Sequence, residues 1–71
     1  MEQDDLLRLP EGTSVYVHNK SGLDHAFIGM TGTYLGVVKM GMGIMARVRF
    51  YDHSANGEFA IHAESIRPAR R

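Results

Sequence analysis

Four histidines, His18, His25, His53 and His62, are the side chains of this chain best suited to metal or acid–base chemistry. Two of them sit in Asp-His neighbours, Asp24-His25 and Asp52-His53. A zinc site needs three or four ligands converging at about 2.0–2.1 Å on the ion. These imidazoles show no His-x-His or His-x-x-x-His spacing, and adjacent residues of an extended chain point to opposite faces. They read as solvated loop histidines, and no metal site is expected. Ser14, Ser21, Ser54 and Ser65 lack the strand-to-helix setting of a nucleophile elbow. There is no cysteine, which removes thiol nucleophiles, thiolate ligands and disulfides together. The residues predict no catalytic centre and no cofactor.

A different chemistry is written into the stretch from Tyr34 to His62. Alternation places Tyr34, Met45, Arg47, Arg49, Tyr51, Glu58 and His62 on one face, with Tyr16 as a further aromatic beside them. Rings beside guanidinium groups suit the centre of a protein interface, where tyrosine and arginine are enriched. They also suit single-stranded nucleic acid, where bases stack on rings. Met30, Met40, Met42 and Met45 cluster in the same part of the chain. Exposed methionine makes an adaptable contact surface. The expected partner-binding residues are therefore Tyr34, Met42, Met45, Arg47, Arg49, Tyr51 and His62, with a protein partner favoured over nucleic acid and self-association open to the same apolar surface.

Positioning such a stripe requires strands. Four β-type runs are legible: Thr13 to His18, Ile28 to Lys39, Ile44 to Tyr51 and Glu58 to Arg67. Val15 and Val17 alternate with Tyr16 and His18, as in a half-buried strand. A polar loop containing Ser21-Gly22 follows at Asn19 to His25. Gly29, Gly32 and Gly36 fall within or beside the second run, where glycine marks a bulge or sharp bend. Met40-Gly41-Met42-Gly43 reads as a hairpin with Gly41 and Met42 at its tip. That register pairs Met40 with Gly43, Val37 with Ala46 and Leu35 with Val48. The next loop is read over Asp52 to Gly57, ending in the turn-favouring Asn56-Gly57 pair, with Tyr51 opposite Glu58, Phe50 opposite Phe59 and Val48 opposite Ile61. Both registers agree on one inner set: Leu35, Val37, Ala46, Val48, Phe50, Phe59 and Ile61. Residues His62 to Ser65 are expected to form a short 3₁₀-like turn before Ile66.

With these elements in place the chain resembles the Src-homology-3-like small barrels, including the KOW-type modules. The matching residues are Gly12-x-x-Val15-x-Val17, Phe27-x-Gly29-x-x-Gly32, Val48-x-Phe50, and Phe59 with Ile66-x-Pro68. The resemblance implies an all-β, five-stranded barrel and a habit of binding. It also implies KOW-like nucleic-acid or ribonucleoprotein contact as the alternative function. The type II dihydrofolate reductases are similar barrels and use a Val-Gln-Ile-Tyr strand. Here the stretch reads Phe59-Ala60-Ile61-His62, without the amide and the hydroxyl.

Length and charge bound the rest. A chain of 71 residues makes one domain near the size where a single core stabilises by only a few kcal/mol. The division expected is an arm at residues 1–11, a barrel at 12–68 and a basic tail at 69–71. Pro10 ends any helical turn over Asp4 to Leu9. Leu6, Leu7 and Leu9 either cap the open end of the barrel or meet a partner. Eight acidic residues balance eight basic ones, which argues against a broad duplex-binding surface. No apolar run approaches the roughly 18 residues of a membrane span, so a soluble cytoplasmic accessory or regulatory protein is expected.

Overall fold

Residues 2–18 and 24–69 are described by the computed structural model. The expected loop residues 19–23, with Ser21, and the tail arginines at 70 and 71 lie outside the described residues. Helix α1 spans Gln3–Arg8, with Asp4 and Asp5 in its first turn and Arg8 in its last, both favourable to the helix dipole. Five strands follow: β1 Ser14–Val17, β2 Thr31–Met40, β3 Gly43–Tyr51, β4 Asn56–His62 and β5 Ile66–Pro68. A 3₁₀ turn at His25–Phe27 precedes β2, and another at Ala63–Ser65 separates β4 from β5, as expected.

All strands join one antiparallel sheet in the order β4-β3-β2-β1-β5. The two outermost strands do not pair with each other, so the sheet stays open. One face carries the core: Val15, Val17, Tyr34, Ala46, Val48, Phe50, Ile61 and Ile66, closed by Leu6 of α1. Leu6 is fully buried and Leu9 packs against the cluster, while Leu7 is 65% exposed. The arm is thus a piece of the core.

The hairpin between β2 and β3 turns at Gly41-Met42 and pairs Met40 with Gly43 and Val37 with Ala46, as the alternation predicts. The expected Leu35–Val48 pair is replaced. Tyr34 sits opposite Val48 and Gly36 opposite Arg47, leaving Leu35 as an extra residue. Gly36 has φ +121°, a conformation open to glycine and rare for other residues. This bulge shifts the phase of the strand. Tyr34 therefore turns inward, to 2% exposure, and is not part of the outer face. Its hydroxyl donates to the Leu6 carbonyl at 2.7 Å and holds α1 on the sheet.

The β3–β4 register also differs from expectation, by two residues. Arg49 faces Glu58, Val48 faces Phe59, and Tyr51 faces Asn56. The expected loop over Asp52 to Gly57 is shorter, because Asn56 and Gly57 already belong to β4. The loop is His53-Ser54, closed by reciprocal bonds between Asp52 and Ala55 at 3.2 and 3.3 Å. Asp52 Oδ1 accepts from the Ser54 amide at 2.9 Å and from its hydroxyl at 2.8 Å, which fixes the turn. Because side chains alternate with period two, an even slip leaves Ala46, Val48, Phe50, Phe59 and Ile61 on the core side.

Phe27 belongs to the first 3₁₀ turn and stacks on Phe50 with ring centroids 5.2 Å apart. It also meets Phe59 at 5.0 Å. This aromatic trio seals the core next to β4, and Phe27 and Phe59 are only partly buried.

Candidate functional site

Residues paired across an antiparallel sheet share a face, so the registers define the outer surface row by row. The first row runs Arg67, Tyr16, Thr31. The second runs Ser14, Thr33, Arg49, Glu58. The third is Gly36, Arg47, Ala60; the fourth is Val38, Met45, His62. Met40 with Gly43 completes the face at the hairpin, and none of these residues is buried.

Part of the charge on this face is compensated from within, one glutamate being shared by two arginines. Arg47 donates to Glu58 Oε1 at 2.6 Å and Arg49 donates to Glu58 Oε2 at 3.1 Å. The bond from Arg47 holds the Glu58 carboxyl below the usual glutamate range, and the charges of both arginines add to this against partial desolvation. Exposed ion pairs contribute little to stability. Their effect here is geometric, because the two bonds to Glu58 tie side chains of β3 to β4. The Arg49 guanidinium also sits 5.5 Å from the centre of the Tyr51 ring. Tyr51 is 72% exposed, so the ring offers most of its surface to solvent.

Farther across the sheet the Arg67 guanidinium lies 5.0 Å from the centre of the Tyr16 ring. A cleft of about 230 Å³ opens beside them, lined by Tyr16, Thr31, Arg67, Pro68 and Ala69. At the opposite end the hairpin tip is apolar, with Met42 at 107% and Met40 at 50% exposure.

Of the residues expected to bind a partner, Arg47, Arg49, Tyr51, Met45 and His62 share the outer face, and Met42 stands at its end. Tyr34 is removed by the bulge. Sequence reasoning placed Arg67 at the end of the last β run without a partner, and the structure pairs it with Tyr16 across β1 and β5. The signal was available in the valine alternation of β1, which puts Tyr16 outward. Asp24 was read beside His25; it instead accepts from the His62 backbone amide at 3.1 Å and lies 3.0 Å from the His62 ring. Asp24 adopts a left-handed backbone at φ +55°. Among the described residues, no group of three His, Asp or Glu side chains converges to hold a metal ion. No helix among them is long and apolar enough to cross a membrane.

Known proteins add no relative: no protein-family model, no curated protein and no solved structure matches the chain.

Proposed function

We propose that this chain is a non-catalytic binding module of Src-homology-3-like architecture whose outer sheet face and hairpin tip dock a protein partner. The architecture is supported by the strand order and by the 3₁₀ turn between β4 and β5. The observation that carries the function is the combination on one surface of Tyr51 and the Arg47–Glu58–Arg49 group with an exposed Met40–Met42 tip. Rigid rings, forked guanidinium groups and soft thioethers suit a protein interface. Arginines already bound to a carboxylate have less to offer a phosphate chain.

A second reading rests on the Tyr16–Arg67 pair and its cleft, which suit a stacked base with a neighbouring phosphate. Affinity capture separates the two. The chain is immobilised as wild type and as the Tyr51→Ala and Arg49→Glu variants. A protein retained by the wild type and lost by both variants supports the proposal. Retention by all three removes this surface from consideration. Recovered nucleic acid whose binding falls steeply with the logarithm of salt concentration supports the second reading.

A further inference from the structure

An open sheet has two edges, and this one treats them differently. Successive strand residues alternate between facing the neighbouring strand and facing away. The reciprocal bonds of Asp52 and Ala55 set the phase on β4. Gly57, Phe59 and Ile61 therefore direct their N–H and C=O groups to β3. Asn56, Glu58, Ala60 and His62 direct theirs off the sheet. The His62 amide is taken by Asp24. Among the described residues, the outward backbone groups of Asn56, Glu58 and Ala60 have no partner.

On β5 the corresponding phase is set by His18 N–H donating to Ser65 O and Ala69 N–H donating to Ser14 O. Pro68 then occupies an outward position, where it presents no N–H and its ring obstructs pairing. Proteins blunt such edges with proline or charge because an unpaired edge is a template for another strand. β4 has no proline and no lysine. Its only ionised carboxylate, Glu58, is drawn back over β3 by Arg47 and Arg49. Among the described residues, nothing else guards this edge.

We infer that the β4 edge receives an extended peptide segment of a partner, which adds a sixth strand to the sheet. This rests on the binding-module reading and names its mode. Hydrogen bonds to Asn56, Glu58 and Ala60 supply the docking, as in other strand additions. The side chains choose the sequence. Positions facing the core side meet the half-buried Phe59 and Phe27, which favours apolar residues. Positions on the outer face lie beside Glu58, whose carboxylate is turned back onto Arg47 and Arg49 of β3, so the group keeps one positive charge in excess and favours acidic over basic residues. The partner segment alternates apolar and acidic residues.

The probe is a blocked, fluorescent Val-Glu-Val-Glu-Val peptide titrated against the whole chain. With the peptide antiparallel to β4 and its valines toward the core, the glutamate nitrogens face β4 and the valine nitrogens face away. N-methylation of the glutamates should therefore weaken binding at least tenfold, and N-methylation of the valines should not. Replacing glutamate by lysine should also weaken it. The Ala60→Pro variant removes an outward N–H without touching the ladder to β3, and should lose the peptide. If that variant does not fold, the two methylated peptides still decide the matter. In the bound state the Glu58 and Ala60 amides should become protected from hydrogen exchange. Equal binding of both methylated peptides, or no binding, overturns the inference. So does protection of the Glu58 and Ala60 amides that rises with concentration of the chain alone, which would mean a second copy fills the edge. Loss of a captured partner in Tyr51→Ala but not in Ala60→Pro would sink the edge and leave the binding face standing.

Discussion

Tyr34 donates its hydroxyl hydrogen to the Leu6 carbonyl while its ring fills the core, so one side chain joins helix and sheet. Replacement by phenylalanine keeps the ring and leaves that carbonyl without its donor. Tyr34→Phe should cost about 1 kcal/mol, read as a lower denaturation midpoint with an unchanged slope. Burial, with the nearby Glu11 charge, pushes the phenol above its ordinary range. Its neutral form is favoured in the fold, so this contribution is complete below the ordinary tyrosine value and is lost as pH rises through the folded one. Glu58 has the opposite sense. Its depressed carboxyl contributes above the ordinary glutamate value and loses that contribution as pH falls through the folded value. In a carboxyl NMR titration, Glu58 should ionise below a free glutamate, and Arg47→Ala should move it back up.

At the scale of elements the informative residues are the glycines of β2. A Cβ on Gly32 would lie 2.6 Å from Val48 Cγ1 and 2.8 Å from the Arg49 carbonyl oxygen. The backbone there presses against β3, and Gly32→Ala should destabilise through a clash that side-chain motion alone does not relieve. Gly36→Ala meets no such crowding but must hold φ near +121°, at a cost of order 1–3 kcal/mol. Thermal unfolding of both variants tests these separate causes. Strand positions, the hairpin tip and the 3₁₀ turn before β5 were legible because periodicity and turn residues are local signals. The inner set on β3 and β4 survived a wrong register because the error was even. Tyr34 was misplaced because three glycines all announced a bend and nothing local says which one inserts the extra residue. Arg67 and Asp24 act through neighbours far apart in sequence, a relation that no local pattern encodes.

For the whole molecule, the proposed binding surface and the core lie on opposite faces of one sheet, and this separation can be tested. A domain of 71 residues has a small margin, so a single large cavity consumes most of it. Leu6 is fully buried, and Leu6→Ala should cost about 2–5 kcal/mol, enough to unfold much of the population at ambient temperature. The helix contributes that leucine and the acceptor for Tyr34, so removing residues 1–9 should leave a chain with poor dispersion of its amide resonances. The outer face has no such burden. Met42 touches solvent on every side and Tyr51 is mostly exposed, so Met42→Ser and Tyr51→Ala should each shift stability by about 0.5 kcal/mol or less. Both should nonetheless reduce partner capture. Unfolding curves and capture measured on the same four variants give the decisive pattern: Leu6→Ala and the truncation lose both properties together, whereas Met42→Ser and Tyr51→Ala lose binding alone. A loss of stability in the last two would mean that the open face supports the fold and is not free to meet another molecule.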